Sequence, residues 1–299
     1  MKEERILVIL NPASGVVSKD VAASYIFKKL MQHFRTVSLI NSNSPQDGYE
    51  IARSARDNFD IIAVFGGDGT INSIASALVG TDKTLGILPG GSGNGLIRNL
   101  NISLSWKQAL DTLIHGQDKY IDIGKINSSY FFNVAGVGLD GMISKKYNTE
   151  TKSRGMAPYI YYALKGYFEM PTFRVKIVSD DIEIDDEVAL IAFANFPQYG
   201  GNIIIAPYAD PYDGMLDICI IKKFNIAKSA LILKSLFNGN IDKFPFYKTF
   251  KFKKVSIISE SKEIPSTIDG EYGGEDGKNF EIASIPKGIK IRVPPEIIV

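Results

Sequence analysis

Ile61-Ile62-Ala63-Val64-Phe65-Gly66-Gly67-Asp68-Gly69-Thr70-Ile71-Asn72-Ser73 is the stretch that decides the fold. The run Ile61–Phe65 is apolar without alternation, as a strand covered on both faces requires. Glycines stop it, and Thr70–Val79 continues with helical spacing. Working outward, the same strand-then-helix order recurs. Ile6–Leu10 reads as a strand, and Val21–Phe34 as a helix with Ala22, Ile26, Leu30 and Phe34 on one face. Val37–Ile40 is a further strand, Asp47–Asn58 a helix, Thr84–Leu88 a strand, and a helix runs from Leu96 onward. This alternation predicts a parallel sheet with helices on both faces. Ligands of such sheets lie beyond the carboxyl ends of the strands.

After Lys125 the texture changes. Tyr130–Val134, Phe173–Val178, Glu187–Asn195, Leu216–Ile221, Phe252–Ile258 and Lys290–Val293 have strand character. Helical spacing returns at Tyr159–Tyr167 and Ile226–Phe237. The predicted class is therefore α/β: an N-terminal α/β nucleotide-binding domain with a parallel sheet, and a C-terminal β-rich, antiparallel, sandwich-like domain. The boundary is placed at 1–125 and 126–299, which leaves the last strand free to return to the first domain.

Composition narrows the chemistry. With 299 residues, two domains are the starting expectation, and 45% hydrophobic against 22% charged residues argues for packed cores. The formal charge of +1 excludes a globally basic nucleic-acid binder. One cysteine, Cys219, and two histidines, His33 and His115, exclude a disulfide framework and a histidine-rich metal centre. Cys219 reads as a core residue, and His115 as the end of a helix before Gly116. The charged N-terminus and the shortness of the longest apolar run, Val188–Ala194, make the cytoplasm the plain expectation. Carboxylates, hydroxyls, backbone amides and lysines are left to do the work.

Three loops follow the buried strands: Asn11-Pro12-Ala13-Ser14-Gly15, Gly66-Gly67-Asp68-Gly69-Thr70 and Pro89-Gly90-Gly91-Ser92-Gly93-Asn94-Gly95. Glycine lets backbone approach a ligand closely, and helix N-termini present free amides to phosphate oxygens. Ser14, Thr70, Asn72, Ser92 and Asn94 add neutral hydrogen-bonding groups, and Asp68 fits beside phosphates if it works with Mg2+. Each loop alone reads better as a tight strand-to-helix turn; three on one sheet edge shift the reading toward a nucleotide. No Walker A loop is present, and no properly placed G-x-G-x-x-G fingerprint follows the first strand.

These loops, with Ile121-Asp122-Ile123-Gly124, Asn133-x-x-Gly136-x-Gly138-x-Asp140, Gly200-Gly201-Asn202, Ala206-Pro207, Asp213-Gly214-x-Leu216-Asp217 and Asp269-Gly270-Glu271, resemble the diacylglycerol kinase catalytic-domain family in its own order. The family includes soluble bacterial lipid kinases and the sphingosine and ceramide kinases. The resemblance implies an ATP-dependent kinase acting on a lipid hydroxyl, with the site between its two domains. It places Asn11, Pro12, Ala13, Ser14, Gly15, Ser42, Gly66, Gly67, Asp68, Gly69, Thr70, Ile71, Asn72, Ser73, Gly91, Ser92 and Asn94 at ATP. It makes Glu271 the general base, gives Asp68 and Asp122 the catalytic Mg2+, and puts a structural Mg2+ at Asp210, Asp213 and the Met215 carbonyl. Locally, Asp269-Gly270 and Asp213-Gly214 read equally as turns, and Asp122 as a strand end. One departure stands out: Gly95 follows Asn94 where diacylglycerol kinase-like members usually carry an acid. In this the third loop looks more like the sphingosine kinase branch.

Two other classes compete. NAD kinases share a Gly-Gly-Asp-Gly-Thr loop, but also an Asn-Glu pair that this chain lacks. A non-catalytic nucleotide- or lipid-binding member of the fold is the other, against which Asp68 and Glu271 argue. From Lys222 to Lys254 there are nine lysines against one acid, Asp242, with Phe224, Phe237, Phe244, Phe246, Tyr247, Phe250 and Phe252 interleaved. This stretch reads as a docking surface for an anionic membrane or as a solvated lysine face over an ordinary core. The expected partners are thus a lipid substrate, a membrane surface and a second copy in a homodimer, with no nucleic acid.

Overall fold

A computed structural model describes residues 2–11, 19–91, 93–150, 172–179, 182–224, 229–260 and 262–295. Pro12, Ala13, Ser14, Gly15, Ser92, the predicted helix Tyr159–Tyr167 and the first residues of the predicted helix Ile226–Phe237 lie outside them. The chain divides into two compact units, Met1–Ile121 with Lys287–Val299, and Asp122–Pro286.

The first unit carries β1 (Lys2–Leu10), α1 (Lys19–Leu30), β2 (Phe34–Asn41), α2 (Pro45–Ala55), β3 (Ile61–Gly66), α3 (Asp68–Ser76), β4 (Thr84–Pro89), α4 (Gly95–Asn99) and α5 (Trp106–His115). β5 (Gln117–Ile126) leaves it. The last strand, β17 (Asn279–Val293), enters it and completes the order β17-β4-β3-β1-β2, in which every neighbouring pair is parallel. Ile6–Ile9 and Ile61–Val64 are fully buried, the double coverage that their unbroken apolar runs require. Pro45 and Ser44 start α2 locally: the Ser44 hydroxyl accepts from the Asp47 amide at 3.1 Å. Two boundaries differ from the sequence reading. Phe34 is in helical phase with Leu30, yet it opens β2 opposite Lys2. The helix from Leu96 is two helices, because Asn101 turns left-handed at φ 55° and stops the first.

Arg292 fastens β17 within this unit. Its guanidinium is 4% exposed and donates to Asp118 at 2.6 Å, Glu4 at 2.9 Å and the Leu113 carbonyl at 3.3 Å. Burial alone would raise the Asp118 pKa; hydrogen bonds from Arg292 and Thr84 outweigh that and hold it below the usual carboxylate value.

The second unit carries β6 (Ser129–Phe131), β7 (Val134–Gly138), α6 (Leu139–Glu150), β8 (Phe173–Ser179), β9 (Glu183–Ala194), β10 (Gln198–Gly200), β11 (Ile203–Ile204) and β12 (Leu216–Lys222). α7 (Ser229–Phe237), a 3-10 turn at Ile241–Lys243, β13 (Tyr247–Phe252), β14 (Lys254–Ser259), β15 (Ile264–Ile268) and β16 (Glu271–Gly277) follow. The strands order as β16-β15-β7-β9-β8-β14-β17, with β12 also on β9 and β13 on β12. The pairings along this path are antiparallel.

β9 makes this layout. Its first half, beside β8, alternates in exposure; from Val188 on it is buried throughout, with β7 on one side and β12 on the other. Two cores result, one around Phe131, Phe193 and Ile257, the other around Cys219, Phe224 and Phe244. Tyr130–Val134, predicted as one strand, is two, broken where the Phe132 and Asn133 amides turn to the Asp269 carboxylate. Phe252–Ile258 also splits at Lys253, since β13 pairs β12 while β14 pairs β8 and β17.

Candidate active site

All four parallel strands β1–β4 end on the same sheet edge, and the loops there interlock. Asn11 donates from its side-chain amide to the Thr70 hydroxyl at 2.6 Å, and the Gly90 amide donates to the Gly66 carbonyl at 2.8 Å. Ser42, fully buried at the end of β2, donates its amide to the Leu10 carbonyl at 2.8 Å. Ser73 reaches the Pro45 carbonyl at 2.6 Å. Gly67 and Gly91 touch: a Cβ on Gly91 would stand 2.7 Å from the Gly67 Cα. A Gly91→Ala variant must therefore part the second and third loops and should melt below the wild type; an unchanged melting temperature would refute the contact.

Asp68 binds backbone. Its Oδ2 accepts from the Asn94 amide at 2.8 Å and its Oδ1 from the Gly95 amide at 3.1 Å, so the carboxylate holds the third loop against the second. Asn94 sits at φ 54°, donates to the Gly91 carbonyl at 2.9 Å, and is 6% exposed. Its Oδ1 is buried and finds no partner among the described residues. The glycine cradle and the orphaned buried acceptor together suit a polar ligand such as a nucleotide. Ile71, expected at ATP, turns its side chain into the core, leaving only its backbone for a ligand.

In the second unit Asp269 and Gly270 form the turn between β15 and β16, with φ 48° and 88°. Positive φ at both positions is the tight hairpin geometry that Asp-Gly favours. The Asp269 carboxylate accepts three successive amides, Phe132 at 3.0 Å, Asn133 at 2.8 Å and Val134 at 3.2 Å. Glu271 follows as the first residue of β16, and its carbonyl accepts from the Thr267 hydroxyl at 2.9 Å. Ser144 in turn meets that hydroxyl at 3.0 Å.

A second web surrounds Asp122, which is 2% exposed. Its Oδ2 accepts from the Gly214 amide at 2.6 Å, its own amide donates to the Pro211 carbonyl at 2.7 Å, and its carbonyl accepts from Asn195 at 2.7 Å. Asp122, Asp210, Asp213 and Met215 thus belong to one local structure, whereas the described contacts give Asp122 a loop-holding role.

Residues 5–126 match the family described as diacylglycerol kinase catalytic domain, and residues 133–293 the YegS C-terminal NAD kinase beta sandwich-like domain. A diacylglycerol kinase of Staphylococcus saprophyticus is 31% identical, over 98% of this chain and 97% of its own. One of Bacillus subtilis is 32% identical, over 91% of each. The chain belongs to the diacylglycerol kinase family. It is a lipid kinase. A solved diacylglycerol kinase structure from Bacillus anthracis shares the fold of this kinase at TM-score 0.76 and 23% identity, covering 98% of both chains. An NAD kinase from Archaeoglobus fulgidus, at TM-score 0.54 and 16% identity over 96% of this chain and 93% of that one, shows a more distant likeness of fold.

Asp140 of the kinase opens α6 and is 3% exposed. Burial raises its pKa to about 6, although a hydrogen bond from the Tyr199 hydroxyl works the other way. The native state then binds a proton that the unfolded chain, near 3.8, has released. Stability contributed by this group is full below the unfolded value and declines as pH rises toward 6. Asp140→Asn should remove that decline, on the order of 2–3 kcal/mol. Denaturant melts between pH 4 and 7 check it, and an unchanged slope would count against the assignment.

The basic stretch resolves into two kinds of residue. Phe224, Phe244, Tyr247 and Phe252 are buried, and Phe224, Phe244 and Phe246 pack ring to ring. Among its aromatics Phe237, 42% exposed, faces solvent. Lys223, Lys234, Lys243, Lys248, Lys253 and Lys254 are exposed, over an aromatic core. Lys251 also reaches the surface, but its ammonium is engaged by acids. Burial pushes the Cys219 thiol up to about 12, so it is an inert core group, as the sequence indicates. No helix among the described residues is long and apolar enough to cross a membrane.

Sequence reasoning did not single out Asn195 or Tyr199, and it met Asp269 only in the motif before Glu271 and Lys251 only within the basic stretch. Asp269 carried a signal, since an Asp in a positive-φ turn position can aim its carboxylate at nearby amides. Asn195 and Lys251 carried none; their partners lie far off in sequence.

Proposed function

We propose that the kinase transfers the γ-phosphoryl group of ATP to the free hydroxyl of a diacylglycerol, with Mg2+ accompanying the nucleotide and Glu271 as general base. The observation that carries this reading is the match to relatives named diacylglycerol kinase over essentially the whole chain, loops and hairpin included. Phosphoryl transfer is mostly positioning and charge neutralisation. The Gly66–Thr70 and Gly90–Asn94 loops, braced through Asp68, offer amides and close backbone approach to the phosphates. Asn11 and Thr70, already bonded to each other, and Asn94 Oδ1 supply polar contacts. Mg2+, when bound, would neutralise phosphate charge, with Asp68 as its nearest carboxylate among the loops. Glu271 takes the hydroxyl proton, a role left to a carboxylate by the chain's two histidines, His33 and His115, which pack on each other in the first unit.

Gly95 in place of an acid is the first residue of α4, and its amide serves Asp68. This concerns loop bracing more directly than lipid choice. Purified protein with labelled ATP and Mg2+, offered diacylglycerol, sphingosine or NAD in separate reactions, tests the reading. Label in phosphatidic acid supports it; label only in the sphingosine or NAD product overturns the substrate; no transfer to any lipid overturns the activity.

The same reading has the kinase meet its substrate on an anionic bilayer through the exposed lysines. Lys248, Lys253 and Lys254 changed together to Glu should weaken binding to phosphatidylglycerol-containing vesicles by about 3 kcal/mol or more, roughly a hundredfold. Equal binding by the variant in a sedimentation assay would leave these lysines as a solvated face.

A further inference from the structure

The turn leading into β12 gathers Asp210, Asp213 and Asp217, and Asp122 grips it through the Gly214 amide. The resemblance implies a structural Mg2+ here, on Asp210, Asp213 and the Met215 carbonyl. The contacts are distributed otherwise. Lys251 Nζ lies 2.8 Å from Asp213 Oδ2, 3.0 Å from Asp217 Oδ2 and 3.3 Å from the Tyr208 carbonyl. An ammonium has three N–H donors, and these three acceptors use them. Asp213 Oδ1 accepts from the Met215 amide at 2.9 Å, and Asp210 Oδ1 from the Tyr212 amide at 3.0 Å. Among the described residues no three acidic, histidine or cysteine side chains are grouped to hold a metal.

We propose that the Lys251 ammonium is the built-in structural cation of this turn, standing where a divalent ion would otherwise neutralise Asp213 and Asp217. Strand register delivers it: Lys251 on β13 is the direct partner of Asp217 on β12. The lysine arrives with the sheet and needs no metal to be loaded. The contacts place the ammonium between the Asp213 and Asp217 carboxylates. Mg2+ demands near-octahedral oxygen ligands and would contend with a like charge for Asp213 Oδ2. The consequence is that the Gly214 amide stays on Asp122 without a divalent ion, and the kinase's metal requirement reduces to that of its nucleotide.

The test uses the full chain without nucleotide or lipid, so it does not depend on the kinase reading. Wild-type protein should melt at the same temperature in Mg2+ and in EDTA. Lys251→Met should melt lower in EDTA, by about 5 °C or more, and recover part of that in Mg2+. Lys251→Arg, which keeps the charge, should stay indifferent to Mg2+. A wild-type melting temperature raised by Mg2+, or Lys251→Met as stable as wild type in EDTA, overturns the proposal. Should Lys251→Met not fold, Mn2+ titration of the wild type by electron paramagnetic resonance decides. A bound equivalent that disappears in Asp213→Asn refutes the built-in cation; none, or one untouched by Asp213→Asn, upholds it.

Discussion

Glu271→Gln is expected to lower kcat by about 10²–10⁴-fold, the range over which a positioned general base contributes. The change is isosteric, and the variant retains the hydrogen bond from the Thr267 hydroxyl to the backbone carbonyl of residue 271. Its melting temperature should therefore match the wild type. ATP affinity should also hold within a few-fold, because the proposed role of Glu271 is to take the proton of the lipid hydroxyl and not to hold the nucleotide. Stopped-time phosphatidic acid assays give kcat, and calorimetry gives nucleotide affinity. Undiminished kcat would remove Glu271 as the base; loss of ATP affinity with unchanged kcat would assign it to binding.

Asp269→Ala should strongly destabilise the second unit. The carboxylate accepts three successive amides from the break between β6 and β7, and Asp269 also sits at positive φ. Alanine leaves those amides without their acceptor and adds left-handed strain, together about 3 kcal/mol for a half-buried group. Asp269→Asn tolerates the same backbone and keeps one acceptor oxygen, so it should fall between the two. Both should lower kcat more than they alter the KM for ATP, because Glu271 follows two residues later on the same hairpin. If Asp269→Ala unfolds within about 0.5 kcal/mol of wild type, the carboxylate is not the fastener it resembles.

What could be read in advance divides by distance along the chain. The β1–β4 strands and the loops after them announce themselves, because an unbroken apolar run, a glycine turn and helical spacing are all local signals. The roles of acids were harder. Asp68 looks like a metal-organising residue in its own loop, and the fold adds what its loop does not announce: its oxygens accept from the Asn94 and Gly95 amides of another loop. Asp122 looks like a strand end, and its partner Gly214 belongs to a turn much later in the sequence. Lys251 looks like one more lysine in a basic run until β13 pairs with β12. Phe34 shows the same limit in an element: helical phase predicts its burial but not the strand that buries it. Residue type and phase report what must be covered; pairing across the chain decides by what.

β17 serves both units, its first residues pairing with β14 and its last with β4. During vectorial synthesis on the ribosome, the parallel sheet of the first unit emerges early but without its β4 neighbour. Glu4 and Asp118 emerge early too and wait for Arg292. The N-terminal unit is therefore finished last, after the intervening unit has been translated. A nascent chain stalled before residue 287 would present an open parallel edge to chaperones and proteases rather than a completed nucleotide-binding fold.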